Sequence, residues 1–93
     1  MATPPSSDDS GVWVPDGWIR DGERLRRTFR FADFEEAWAF MTSVADIARR
    51  LDHHPDWSNS WNVVEISLTT HSESRVTSRD LLMAEEIGRL AGD

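Results

Sequence analysis

The stretch Asp52-His53-His54-Pro55-Asp56-Trp57-Ser58-Asn59-Ser60-Trp61-Asn62-Val63-Val64-Glu65-Ile66-Ser67-Leu68-Thr69-Thr70-His71 decides how this chain folds. Ahead of it, Phe34, Ala37, Trp38, Met41, Val44, Ala48 and Leu51 recur at three- and four-residue steps. That spacing predicts one amphipathic helix of about five turns. Asp33 with Glu36 forms a capping-box pattern at its start. Pro55 then drives the chain out of helix, because it lacks an N–H and restricts the residue before it. Beyond Pro55 the apolar period drops to two, with Val64, Ile66 and Leu68 alternating with Val63, Glu65, Ser67 and Thr69. Residues 57–61 and 63–70 therefore read as a hairpin turning near Asn62.

Working outward, residues 18–20 and 24–31 flank Asp21-Gly22, a two-residue hairpin signal. Leu25, Phe29 and Phe31 share one parity in the second of these strands, and Arg24, Arg26 and Arg30 the other, and the cluster Arg20, Arg24, Arg26, Arg27 and Arg30 reads as a solvated strand face. Downstream, Thr77 with Asp80 repeats the capping pattern, and Met83, Ala84, Ile87, Leu90 and Ala91 form a second apolar stripe. The order is β-β-α-β-β-α, with hairpins rather than long crossovers. It predicts an α+β fold, a four-stranded antiparallel sheet with both helices packed on one face.

Ninety-three residues make one small domain. Residues 1–11, rich in Pro, Ser and Asp, are expected to be a disordered tail, and 12–93 the folded domain. A net charge of −7 argues against direct nucleic-acid binding, which needs a basic surface, and against anionic membranes. The chain has no Cys, which excludes disulfides and thiolate chemistry. All ten basic residues are Arg, so no lysine Schiff base can form. No apolar run approaches the roughly 20 residues that span a bilayer. The first seventeen residues lack the basic and apolar regions of a signal peptide. A cytoplasmic protein is the expectation, and so short a chain with two wide apolar stripes is expected to form a homo-oligomer.

All three histidines, His53, His54 and His71, lie within or at the end of the deciding stretch. Histidine trades protons near neutral pH. A single histidine near a helix end is commonly a cap or a solvated residue. Three in one segment, with Asp80 beyond, point instead to a site. Adjacent residues in an extended segment face opposite ways, so His53 and His54 are poorly placed to chelate one ion, and no metal is expected.

The spacing is that of a known signature. His53-His54-Pro55, five residues, the aromatic Trp61, nine residues, His71, eight residues and Asp80 resemble the pterin-4a-carbinolamine dehydratase family. Ser67-Leu68-Thr69-Thr70-His71 and Val76-Thr77-Ser78-Arg79-Asp80 also look like family text, and the resemblance covers roughly residues 18 to 91. It implies the same α+β architecture and homodimers or homotetramers. The reaction it implies is loss of water from a 4a-hydroxytetrahydropterin to give the quinonoid dihydropterin, without a cofactor. His53 and His71 would then be the acid–base pair, and His54 would orient the pterin. Pro55 would aim both imidazoles, and Trp61 would offer a wall for the flat ring. Asp80 would hold a histidine tautomer, although its place in a capping box is already a sufficient structural reason for an acid there.

Two departures stand out. The family usually has an acidic residue where this chain has Arg49, a candidate to bind a carbonyl or carboxylate of the ligand. The loop after the last histidine is usually Gly-rich and here reads Ser72-Glu73-Ser74-Arg75. The alternative these departures suggest is a catalytically weak, dehydratase-like scaffold serving as an assembly or dimerisation factor.

Overall fold

The computed structural model describes residues 13–93, so the expectation for the tail lies outside the described residues. The elements follow the expected order: β1 (Ile19–Asp21), β2 (Arg24–Arg30), α1 (Phe34–Leu51), β3 (Asp56–Ser60), β4 (Val63–Leu68) and α2 (Ser78–Leu90). All strand pairs are antiparallel, and the spatial order β1-β2-β4-β3 places β3 and β1 at the edges.

Strand alternation builds the two faces. Leu25 and Phe29 of β2 join Val64, Ile66 and Leu68 of β4 in the core. Ala37, Phe40, Val44 and Ile47 of α1 and Met83, Ala84 and Ile87 of α2 cover them. Phe29 and Phe31 both pack on Phe40, with ring centroids 4.7 and 5.0 Å apart. Among the described residues no helix covers the opposite face. Its side chains pair along the sheet instead, with Arg26 2.8 Å from Asp21 and Arg24 2.8 Å from Asp56.

The helix starts follow the capping chemistry. The Asp33 carboxylate accepts the Glu36 N–H at 2.9 Å, and the Glu36 carboxylate reaches back to the Ala32 N–H at 3.0 Å. Each contact satisfies a backbone donor that the first helical turn leaves open.

Four expectations shift. The first hairpin turns one residue later than predicted, because Asp21 pairs with Arg24. Gly22 then takes the first loop position with φ 60°, where glycine avoids the Cβ clash. The buried arc of α1 is also rotated. Phe40 and Ile47 are in the core, whereas Trp38 is 55% exposed and Phe34 stacks on it at 6.1 Å. The core faces the residues above β2 and β4, and Phe34 and Trp38 fall outside that footprint. At the end of α2, Leu90 is exposed and Ala91 caps the helix rather than joining the stripe. Finally, Arg27 leaves the solvated arginine cluster for the core-facing parity. Its guanidinium lies 4.6 Å from the Phe29 ring centroid and grips both oxygens of Asp93 at 2.6 and 3.0 Å.

Asp33→Ala removes the α1 N-cap, which typically stabilises by about 1 kcal/mol. Urea unfolding should show a lower midpoint with an unchanged slope, and an unchanged midpoint would mean that water replaces the cap at no cost.

Candidate active site

Helix α1 ends in a Schellman-type turn. Asp52 adopts the left-handed conformation (φ 51°, ψ 47°) usually held by glycine. Its N–H bonds the Arg49 carbonyl at 3.2 Å, and the His53 N–H bonds the Ala48 carbonyl at 3.1 Å. The turn folds His53 back under the helix, where it is buried. The Arg79 guanidinium bonds the Asp52 carbonyl at 2.6 Å and ties this corner to the start of α2.

There the second capping box meets the histidine. The Thr77 N–H donates to Asp80 Oδ2 at 2.9 Å, and the Thr70 hydroxyl donates to the same oxygen at 2.7 Å. Asp80 Oδ1 lies 2.5 Å from His53 Nε2. The capping and tautomer-holding readings of Asp80 are therefore compatible, since each carboxylate oxygen serves one. Asp80 is completely buried, and a buried polar group is tolerable only when bonded in this way. With Asp80 acting as acceptor, Nε2 of His53 is the ring donor and Nδ1 the ring acceptor of the neutral imidazole.

His71 follows β4 with the parity of Ser67, away from the core, and is 62% exposed. Its Nε2 lies 3.1 Å from Asp56 Oδ2. Asp56 opens β3 opposite Ser67 and also receives Arg24 Nη1 at 2.8 Å, while Arg24 Nη1 reaches Ser67 Oγ at 3.0 Å. The Arg24 hydrogen bond holds the Asp56 carboxyl below its ordinary range; partial burial opposes this and the charge of His71 assists it. An open depression of about 450 Å³ lies beside His71, lined also by Asp21, Glu23, Arg24, Thr69 and Ser74.

The β3–β4 register thus brings His53, His54, His71 and Asp80 to one end of the sheet. His53 lies in the helix layer and His71 on the bare face. His54 is exposed beside its buried neighbour, and Pro55 leads straight into β3. Trp61 is not brought there. It occupies the β3–β4 turn with φ 50° and is 64% exposed. The five residues of β3 hold it roughly 20 Å from Pro55. Arg49 is exposed on the last turn of α1, bonded to Asp46 at 2.8 Å. The residues that sequence reasoning missed are Asp56, Arg24 and Thr70. The hairpin register carries a signal for Asp56, since Ser60 opposite Val63 forces Asp56 opposite Ser67, on the parity of His71. In the loop after His71, Ser74 takes φ 54°, a conformation glycine adopts without strain. Among the described residues no group of three or more His, Asp or Glu is arranged to hold a metal ion.

A four-stranded α+β domain with two carboxylate-held imidazoles at one sheet end defines the class. The family follows from comparison with known proteins. The sequence model of the pterin 4 alpha carbinolamine dehydratase family matches residues 8–90, and the chain belongs to that family. A Prochlorococcus marinus protein provisionally named pterin-4-alpha-carbinolamine dehydratase is 42% identical over 82 residues, covering 88% of this chain and 86% of its own. A Brucella ovis protein with the same provisional name is 47% identical over 79 residues, covering 83% and 81%. The crystal structure of a transcriptional coactivator/pterin dehydratase from Brucella melitensis superposes with a TM-score of 0.80 at 44% identity, covering 83% of this chain and 84% of that one. A pterin dehydratase-like RuBisCO assembly factor of the alpha-carboxysome shares the fold, with a TM-score of 0.72 at 21% identity, covering 83% and 92%.

Ionised Asp56 contributes stability that is present above its unfolded-state pKa and lost as pH falls through its lower folded-state value. Arg24→Met removes the leading cause, so the Asp56 carboxyl should titrate closer to the ordinary carboxylate range by carbon-13 NMR. A titration that stays depressed would show that His71 rather than Arg24 sets it.

Proposed function

We propose that this chain is a 4a-hydroxytetrahydropterin dehydratase, a hydro-lyase that forms the quinonoid dihydropterin and water in the recycling of a tetrahydropterin cofactor in the cytoplasm. The observation that carries this reading is the buried His53–Asp80 pair at the same sheet end as His71. The reaction breaks the C4a–O bond and removes the N5 proton. One imidazole gives a proton to the departing hydroxyl, which leaves as water, and the other accepts the proton from N5. Each such transfer is worth about 10²- to 10⁴-fold in rate. A proton has then passed from one imidazole to the other, and both return to their starting states when it is carried back by way of solvent, which the exposed His71 meets directly. His54 orients the pterin, and Pro55 fixes the backbone that aims the pair. Asp80 holds His53, and Asp56 holds His71. Arg49, exposed on the last turn of α1 and paired with Asp46, is the candidate to bind a polar group of the ligand.

The second reading is a catalytically weak scaffold or assembly factor. It is favoured by Arg49 in place of an acid and by the exposed Phe34–Trp38 stack. A spectrophotometric dehydration assay on purified protein separates the two, since only the enzyme accelerates water loss from a 4a-hydroxytetrahydropterin.

His53→Ala and His71→Ala should each lower turnover by at least roughly tenfold, with the double variant near background. His54→Ala should act mainly on KM. Wild-type turnover in both single variants at positions 53 and 71 would remove the assignment.

The exposed Phe34, Trp38, Leu82 and Leu90, together with two sheet edges, leave apolar and hydrogen-bonding surface for a second copy. Light scattering at micromolar concentration should give at least the dimer mass, and the mass of a single chain would overturn the homo-oligomer.

A further inference from the structure

We propose that Thr70 is a positioning residue that holds the His53 imidazole in one tautomer and orientation by acting through Asp80. This rests on the dehydratase reading for its catalytic consequence, but its structural effect can be measured without it.

Three observations converge on this side chain. Thr70 is buried, as are the two groups it connects to, His53 and Asp80. Its hydroxyl donates to Asp80 Oδ2 at 2.7 Å, the oxygen that does not touch the histidine. It also lies 2.6 Å from the Thr77 hydroxyl. A hydroxyl has one proton, so if Thr70 donates to the carboxylate it must accept from Thr77. The order of donors is then fixed as Thr77 hydroxyl, Thr70 hydroxyl, Asp80 carboxylate, with His53 Nε2–H donating from the opposite side. The Thr77 N–H supplies the third bond to Asp80 at 2.9 Å. The carboxylate is held by three donors, from the β4 exit, the α2 start and the histidine, and turning it would break these bonds.

Without the Thr70 hydroxyl, Asp80 Oδ2 keeps only the backbone donor. The carboxylate can then turn about its χ2, which is a soft torsion. A turned carboxylate no longer presents Oδ1 to Nε2, and the imidazole loses the bond that selects its tautomer. The alternative role, that Thr70 merely shapes the loop, is served by its backbone. The Thr70 N–H bonds the Arg75 carbonyl at 3.0 Å, and the Glu73 N–H bonds the Thr70 carbonyl at 3.0 Å. These two bonds close the 70–75 turn that carries His71, and they survive any side-chain substitution. Hydroxyl and backbone therefore have separable duties.

The test compares Thr70→Val, which keeps the shape and deletes the donor, with Thr70→Ser, which restores it. Nitrogen-15 NMR of the imidazoles reads the His53 tautomer directly. Wild type and Thr70→Ser should show a single Nε2–H form, and Thr70→Val a mixture. In the dehydration assay Thr70→Val should lose kcat roughly tenfold, as expected for one lost hydrogen bond to a charged group, with KM nearly unchanged and with recovery in Thr70→Ser. If Thr70→Val does not fold, Thr70→Ala, which also lacks the donor, takes its place with the same expectation. A folded donorless variant with a single Nε2–H tautomer and wild-type kcat would overturn the proposal. Wild-type protein without dehydratase activity, but with tautomer mixing in Thr70→Val, would remove the enzymatic reading and leave the positioning role standing.

Discussion

A carboxylate removed from water must have its lone pairs occupied, and Asp80 is wholly buried. That constraint organises this end of the molecule. One oxygen is filled by the Thr77 N–H that begins α2 and by the Thr70 hydroxyl just past β4. The other faces the ring of the residue just past α1. Three elements that share no backbone bonding at this point are thus joined through one side chain. The same contacts that end two helices and a strand also orient an imidazole, so the stability and the chemistry of this corner cannot be separated by substitution at Asp80 alone.

The second histidine is held differently. His71 and Asp56 are both partly exposed and sit on the helix-free face, where Arg24 shares the carboxylate. Exposed ion pairs contribute little to stability and are weakened by salt. One imidazole is therefore buried, and the other is open to solvent. In the proposed dehydratase reaction, where a proton passes from one imidazole to the other, the exposed member is the one that would meet solvent directly.

The fold was legible because three local signals agreed: helical spacing over residues 34–51, alternation over 63–69, and capping residues ahead of both helices. The rotation of α1 was not legible. Apolar side chains cover more than half of its circumference, and only the packing of β2 and β4 decides that Phe40 and Ile47 go in while Phe34 and Trp38 stay out. Trp61 was misjudged for a related reason. A period-two pattern does not mark where a strand stops, and the turn took the aromatic residue. At the site, the histidines and Asp80 were visible as a spaced set. Arg24 was not, because its meeting with Asp56 depends on pairing strands more than thirty residues apart, which no local pattern encodes, and Asp56 was legible only through the register of the β3–β4 hairpin.

The Schellman-type turn at Asp52 restricts which lengths the chain can take. His53 is aimed by the last turn of α1, whose residues advance 100° and 1.5 Å each. Adding or removing one residue inside that helix would swing the imidazole about a quarter of the way around the axis and away from Asp80. The loop between His71 and Val76 has no such gearing, because its ends are joined by the Thr70–Arg75 bridge and its middle is exposed. Insertions and deletions should therefore be confined to that loop and excluded from α1, so that the spacing from Asp33 to His53 is a measured interval and the spacing from His71 to Asp80 is an adjustable one.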